Sequence, residues 1–154
     1  MSDMSLSDWL EETYDIEMLK FSDQVMSVQD AVRVSGYPRN EFVKTIVLIH
    51  KDDGTIVTAT ITAGSRVDKV KLMDGVNGKR WRMATPEEVL ENTGYPVGGV
   101  PPIGLPSGLT RYVDPRVLKK KYIIGGGGTT LSLIRFNPNL IVQDGVEIKI
   151  ISKG

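Results

Sequence analysis

Cysteine is absent from this 154-residue sequence, and His50 is its only histidine. Without cysteine the chain can form no disulfide and offers no thiol nucleophile or thiolate metal ligand, which suits a reducing compartment such as the cytoplasm. A Ser–His–Asp triad would have to use His50, which directly precedes a predicted hairpin turn and is expected to be exposed. A zinc site built from histidine and cysteine is disfavoured on the same grounds. If the chain is an enzyme, we expect it to work without the common nucleophiles, without a metal and without another cofactor.

The sequence also lacks an excess charge of either sign, because 19 basic residues balance 19 acidic ones. No overall field therefore attracts the chain to DNA or to a membrane surface, and any RNA contact must come from a local basic patch. No apolar stretch approaches the roughly 20 residues that cross a bilayer, and the acidic first twelve residues do not resemble a secretory signal. We expect one cytoplasmic domain over residues 1–154 with no membrane partner.

The patterns that are present predict a mixture of short strands and short helices. Strands are expected at 16–21, 42–50, 55–62, 79–83, 109–113, 122–124, 131–136 and 146–151. Helices are expected at 5–13, from Ser27 to Gly36, at 66–73, at 85–92, and after Pro115 and Pro138. The turn signal at 51–54 makes the second and third strands an antiparallel hairpin. The mixed order indicates an α/β or α+β fold, with a mixed, partly barrel-like β-sheet of about seven strands and short surrounding helices.

Lys44 stands out because it lies in an otherwise apolar strand. Both alternating faces of that strand are apolar, which is typical of a strand covered on both sides. If the hairpin turn has two or four residues, the positions opposite the Lys44 face are Val57, Ala59 and Ile61. A lysine there either extends to water from the frayed start of the strand or sits in a pocket. In a pocket it would bind a carbonyl, carboxylate or phosphate oxygen.

Residues 93–108 form an unusual segment, with five glycines, four prolines and no charged residue. Pro101 and Pro102 have no N–H, so the segment cannot be a central strand, and its glycines permit main-chain conformations that are closed to other residues. The main-chain groups of Gly98, Gly99 and Val100 are therefore free to face a ligand. A long connection rich in turn residues is the simpler interpretation, but the lack of charge and the paired prolines favour a functional loop.

Four consecutive glycines at 125–128 are similar to part of a phosphate-binding loop. The Gly-Lys-Ser/Thr ending is missing, however, and the residues that follow predict a strand rather than a helix. We therefore reject a nucleotide-binding loop. A tight connection between strands, or a close approach of the main chain to a ligand, is expected instead.

These segments resemble, in the same order, those of the YbaK-like family of aminoacyl-tRNA editing domains, which is related to the insertion domain of prolyl-tRNA synthetase. The likeness extends over about residues 27–140 and rests on the ranges 42–48, 61–65, 82–90, 94–104 and 125–140. Lys44 corresponds to the family's pocket lysine, and Gly98 and Pro102 are the ends of its GxxxP element. Pro101 departs from the small polar residue that the family often has there, which leaves the edited amino acid open.

The resemblance implies a free-standing enzyme that hydrolyses the ester between an amino acid and the terminal ribose of a mischarged tRNA. Lys44 and Gly98 are the expected catalytic residues, with Lys44 holding the substrate's carbonyl or terminal phosphate. Alanine, cysteine, serine and threonine are the expected edited amino acids. The other expected substrate-binding residues are Gly99, Val100, Pro101, Pro102, Gly104, Tyr37, Ile46, Thr62, Ala63 and Gly126.

A tRNA partner needs a basic surface, and an aminoacyl-tRNA synthetase is a second expected partner. Each basic residue taken singly is equally compatible with an ordinary solvated surface. The candidates for the tRNA backbone are Arg66, Lys69, Lys71, Lys79, Arg80, Lys119, Lys120 and Lys121. A second hypothesis is a non-catalytic module that binds tRNA or a synthetase through the same pocket. An ordinary esterase is disfavoured by the single histidine and the lack of a G-x-S-x-G motif.

Overall fold

The computed structural model describes residues 6–72 and 80–154 of the chain. Its helices are α1 (Leu6–Thr13), α2 (Val28–Ser35), α3 (Lys69–Leu72), α4 (Pro86–Thr93), α5 (Pro115–Leu118) and α6 (Asn139–Gln143), with a 3-10 turn at Arg39–Glu41. Its strands are β1 (Glu17–Lys20), β2 (Val43–His50), β3 (Ile56–Thr62), β4 (Arg66–Val67), β5 (Trp81–Met83), β6 (Thr110–Val113), β7 (Ile123–Gly126), β8 (Ser132–Phe136), β9 (Glu147–Ile148) and β10 (Ser152–Lys153). Within these ranges, no helix has both the length and the apolar character to span a membrane.

The strands form three sheets with mixed pairing. The largest has the order β5-β2-β3-β6-β9, the second β1-β8-β7 and the third β10-β4. β2 and β3 are antiparallel, whereas β3 and β6 are parallel. The mixed α/β class is thus confirmed. A parallel bridge between Phe42 and Ile124 connects the two larger sheets, but in the described part of the chain no sheet closes into a barrel, so the barrel-like extension of the prediction goes beyond the structure.

The β2–β3 hairpin is the centre of the fold and has the predicted register. Lys44 lies opposite Ile61, Ile46 opposite Ala59, and Leu48 opposite Val57. Leu48 and its partners pack in one apolar cluster, while Val43 and Val47, on the other face of β2, pack in two further clusters. Because side chains alternate along a strand, an unbroken apolar run is needed to cover both faces.

Two helix starts follow the predicted capping signals. Ser27 accepts a hydrogen bond from the Asp30 N–H, 3.1 Å away, and α2 ends at Gly36, whose φ is 76°. Thr85 and Glu88 form a complete capping box ahead of α4. α4 ends at Gly94 (φ 81°), where the left-handed conformation turns the chain directly into the glycine- and proline-rich loop.

Two predicted elements and one predicted exposure are corrected by the structure. The segment predicted as a helix at 66–73 begins instead as β4, which pairs with β10, and only then becomes α3; residue 73 lies outside the described residues. The strand predicted at 146–151 is shorter, since β9 covers only Glu147–Ile148 and β10 begins beyond the predicted range, at Ser152. The N–H groups of Ile151 and Ser152 donate to the Asp114 carboxylate, each at 3.0 Å. His50 is only 14% exposed, since its ring packs edge-on against Trp81.

Candidate functional site

A cavity of about 280 Å³ opens along one edge of β2, and we call it the β2-edge cavity. Its wall is formed by residues 42–47, by residues 25–28 with Ala31 at the start of α2, and by Met83, Ala84 and Val89. The loop contributes Val97, Gly98 and Val100, and the opposite side is closed by Gly125, Gly126 and Leu133. Lys44 is the single charged side chain among these described lining residues.

The cavity exists because β2 is paired along only part of this edge. β3 pairs with β2 from Val43 to Ile49, but β5 reaches only Leu48–His50 on the opposite edge. The Phe42 carbonyl accepts from the Ala63 N–H, and the His50 N–H donates to the Thr55 carbonyl, both on the β3 side. The odd-numbered residues between them therefore direct their main-chain groups to the open edge. The Val47 carbonyl, which accepts from the Ala84 N–H at 2.9 Å, faces this edge. The main chain of Thr45 faces the same way, into the cavity.

Lys44 supplies the cavity with one positive charge. The side chain is half-buried, and within the described ranges no hydrogen bond or ion pair holds its ammonium. Burial lowers the pKa of Lys44, and the nearby positive charge of Arg39 lowers this pKa further. A partly desolvated cation without a counter-charge is best satisfied by an anionic or carbonyl oxygen of a ligand.

The loop that follows α4 contributes a rigid wall opposite β2. Gly98 has a φ of 86°, and a Cβ there would lie 3.3 Å from the Met26 Cα. The Gly99 N–H donates to the Pro96 carbonyl at 2.9 Å, which closes a tight turn around Gly98. Only glycine combines this left-handed conformation with such a close neighbour.

The loop packs directly against the main chain of the glycine run at 125–128. A Cβ on Gly126 would lie 2.5 Å from the Val100 carbonyl oxygen, and one on Gly125 would lie 2.8 Å from the Pro102 ring. The Gly128 N–H donates to the Gly99 carbonyl at 2.8 Å. The sequence left open a tight connection between strands or a close main-chain approach to a ligand. The close approach that the structure shows is to the loop, and it fixes the loop's position relative to β7.

The two ends of the loop are joined by buried polar groups that the sequence did not reveal. The Tyr95 hydroxyl donates to the Gly104 carbonyl at 2.7 Å, and the Gly104 N–H donates to the Asp144 carboxylate at 3.2 Å. Asp144 also accepts from Arg111 at 2.8 Å and from the Tyr14 hydroxyl at 2.9 Å. Burial and the hydrogen bond to Asp144 raise the pKa of Tyr14 to about 12, which keeps this hydroxyl a donor.

We expect Tyr95→Phe to lower the activity of the site. The substitution keeps the ring but leaves the buried Gly104 carbonyl without its donor, which costs about 1–3 kcal/mol of folding free energy and loosens the loop. Ser152→Ala is the matched control, because it removes a buried hydroxyl on β10 that donates at 2.7 Å to the Asp114 carboxylate. Neither Ser152 nor Asp114 lines the cavity. Both variants should unfold at lower temperature, but only Tyr95→Phe should lose activity, on the order of tenfold or more, well below its melting temperature. Equal activity losses in the two variants would contradict this role of Tyr95.

The other predicted substrate-binding residues are divided between the cavity wall and its support. Gly98, Val100, Ile46 and Gly126 line the cavity together with Lys44. The remaining predicted residues do not line the cavity. In the loop, Gly99 and Pro102 contact the glycine run, and Pro101 and Gly104 are buried. Elsewhere, Thr62 forms a hydrogen bond with Ser65, Ala63 packs beside Phe42, and Tyr37 stacks on Arg135. The contribution from residues 25–28 and Met83 was missed, because those segments carry no unusual residue pattern.

The predicted tRNA-binding residues lie on several separate elements and do not line the cavity. Lys71 lies 4.0 Å from Asp68, Arg80 pairs with Asp52, and Lys120 donates to the Asn40 carbonyl. Arg66 is on β4, Lys69 on α3, and Lys119 and Lys121 follow α5, whereas Lys79 lies outside the described residues. Across residues 6–72 and 80–154, no cluster of three or more histidine, aspartate and glutamate side chains is arranged to hold a metal.

Comparison with known proteins identifies the class of domain. The model of the aminoacyl-tRNA editing domain family matches residues 22–142. A crystal structure of a candidate trans-editing enzyme for prolyl-tRNA synthetase superposes with a TM-score of 0.81 at 25% identity, covering 99% of this chain and 100% of that one. This chain belongs to the aminoacyl-tRNA editing domain family.

Its relatives include both large synthetases and a protein of similar size. The proline–tRNA ligase of Fervidobacterium nodosum is 30% identical over 119 residues, which cover 73% of this chain and 20% of the ligase. The ligase of Thermotoga neapolitana is 28% identical over 66% of this chain and 17% of its own length. The chain thus spans about a fifth of these ligases. The uncharacterized protein YwhH of Bacillus subtilis is 28% identical over 79% of this chain and 76% of YwhH.

Proposed function

We propose that the chain hydrolyses, in trans, the ester of a small amino acid on a non-cognate tRNA. The observation that supports this activity is that Lys44 is the single charged residue among the described residues lining the cavity between the open edge of β2 and the glycine-rich loop, and that no residue of the described chain pairs with its ammonium. The editing domain match and the trans-editing neighbour support the same reaction. Such an enzyme would maintain translation fidelity in the cytoplasm, where tRNA is charged. Residues 1–154 would act as one editing domain.

The reaction needs little more than positioning, because an aminoacyl ester is already activated. Lys44 would hold the ester carbonyl or the terminal phosphate, and the main chain of Gly98–Val100 would orient the substrate's ammonium. Water attacks the carbonyl carbon, the bond from this carbon to the ribose oxygen breaks, and the ribose oxygen takes up the proton. The adjacent ribose hydroxyl assists the water, and Lys44 stabilises the developing oxyanion.

Amino acid selection follows from the walls of the cavity. Ile46 and Val100 line the cavity together with Lys44, and we expect their side chains to favour amino acids the size of alanine, cysteine, serine or threonine. An apolar pocket discriminates one methylene by only about 1–3 kcal/mol, so we expect overlap among these substrates. The relationship to proline–tRNA ligases favours a tRNA specific for proline as the carrier and a synthetase as a partner.

A panel of aminoacyl-tRNAs tests this function. We expect the protein to accelerate release of alanine, cysteine, serine or threonine from tRNA specific for proline, and to leave prolyl-tRNA and phenylalanyl-tRNA intact. The loss of labelled amino acid from the tRNA is the measurement, with heat-denatured protein as the control. Tight binding of tRNA without any acceleration would support the non-catalytic module instead.

A further inference from the structure

We propose that the outer edge of β9 joins two copies of this chain into a symmetric dimer, an inference independent of the proposed function. β9 is the last strand of the sheet β5-β2-β3-β6-β9, and within residues 6–72 and 80–154 no strand pairs with its outer edge. Ile148 on β9 is 53% exposed, and Ile150, two residues further on, is 58% exposed. A sheet edge that presents apolar side chains is a template for pairing with another chain.

The main chain of Ile148 faces away from its own sheet. β9 is parallel to β6, with Ile148 beside Val113, and the Lys149 N–H donates to the Val113 carbonyl at 3.0 Å. Because the main-chain groups of successive residues point to opposite sides of a strand, the N–H and the carbonyl of Ile148 point to the outer edge. Two such residues in antiparallel strands exchange a pair of hydrogen bonds across a twofold axis.

The residues around Ile148, which we call the edge segment (146–150), are complementary to themselves in this antiparallel register. With Ile148 opposite Ile148 of the second copy, Glu147 lies opposite Lys149, and Val146 lies opposite Ile150. Apolar pairs and pairs of opposite charge stabilise adjacent strands, whereas like charges directly opposite each other destabilise them. A register centred on Glu147 or on Lys149 would place two like charges opposite each other. Charge therefore selects the pairing about Ile148.

The two faces of the edge segment differ in character. Glu147 lies beside Tyr112 on β6, and the Lys149 ammonium lies 5.3 Å from the centre of the Tyr112 ring, so both charges share one face. On the other face, Val146 packs against the core cluster that contains Val113. Pairing would continue this apolar face into the second copy and cover the exposed isoleucines, as expected of an apolar surface at an interface.

The dimer would leave both cavities open. β3 and β6 separate β9 from β2, and none of the described residues that line the β2-edge cavity belongs to the edge segment. Five residues per copy form a smaller contact than a permanent complex needs, so we expect the two copies to associate reversibly. An extended segment of a different protein is the competing occupant of this edge, and it would leave the chain alone in solution.

Sedimentation velocity over a range of protein concentrations tests both the pairing and its register. Glu147→Lys and Lys149→Glu each place two like charges opposite each other. The double variant Glu147→Lys/Lys149→Glu restores opposite charges in reversed order. Glu91→Lys is the matched control, because it makes the same charge change at an exposed position of α4. Thermal unfolding of every variant shows whether it is folded.

We expect the wild-type mass to rise from that of one chain towards twice this value, with a dissociation constant on the order of 1–100 µM. Each single variant should weaken the dimer about tenfold or more, because the unfavourable pair occurs twice in a symmetric interface. Glu91→Lys should leave the dimer unchanged, and the double variant should restore it. A wild-type protein that remains a single chain at about 1 mM would overturn the proposal. A dimer that persists unchanged in Glu147→Lys, or a double variant as weak as the single ones, would overturn it too.

Discussion

Lys44→Met is expected to abolish most deacylation while leaving the fold intact. Methionine matches the length and apolar stem of lysine but carries no charge, so the cavity keeps its shape and loses the one charged side chain among its described lining residues. Removing a single group that stabilises an oxyanion lowers kcat by about a hundred- to a thousandfold in enzymes that depend on one. Because the ammonium is partly desolvated and has no counter-charge among the residues that the structure describes, we expect its removal to leave the melting temperature unchanged or to raise it.

The control for this variant is Lys51→Met, which removes an exposed ammonium at the hairpin turn of the same β2–β3 unit. This protein should retain the full deacylation rate. Lys44→Arg provides a further comparison, since guanidinium keeps the charge but is larger and planar. Deacylation of alanyl-tRNA by Lys44→Met at the wild-type rate would remove Lys44 from the mechanism.

Gly126→Ala is expected to damage both stability and activity, through the position of the loop. The added Cβ would lie 2.5 Å from the Val100 carbonyl oxygen and 2.8 Å from the Gly99 carbonyl carbon. Both neighbours are main-chain atoms, so the loop itself must move. Forcing one extra carbon into such a contact costs about 1–3 kcal/mol, and the displacement of Gly98 and Val100 would change the shape of the cavity that they line together with Lys44.

Gly108→Ala is the matched control for this loop variant. A Cβ at Gly108 meets no atom within 4 Å, so the change should alter stability by no more than about 0.5 kcal/mol. Thermal unfolding and deacylation, measured on both proteins well below their melting temperatures, separate the two effects. Wild-type activity in Gly126→Ala would show that the contact between the loop and the glycine run at 125–128 has no role in the site.

The sequence was most informative where the physical signal is local. A four-residue turn defines the β2–β3 register, so the position of Lys44 opposite Ile61 could be predicted without a structure. The caps of α2 and α4 are likewise encoded within a few residues, at Ser27 and Thr85. The restricted main-chain conformation of the loop could be predicted from its own glycines and prolines.

The rest depends on contacts between distant segments, which no local pattern contains. The Tyr95 hydroxyl donates to the Gly104 carbonyl, nine residues later in the loop. The Asp144 carboxylate that accepts from the Gly104 N–H lies 40 residues further along the chain. β4, at Arg66–Val67, pairs with β10, which lies much further along the sequence, at Ser152–Lys153. The open edge of β2 arises because β5 is short, and a short strand does not predict which neighbouring residues remain unpaired.

Ester hydrolysis by this chain can be measured in a single turnover with alanyl-tRNA specific for proline. With protein in excess, we predict first-order loss of alanine at least about a hundredfold faster than in buffer. The same assay with Lys44→Met should return nearly to the rate in buffer. A wild-type rate equal to the rate in buffer, for alanyl-, cysteinyl-, seryl- and threonyl-tRNA alike, would show that the protein does not hydrolyse these esters.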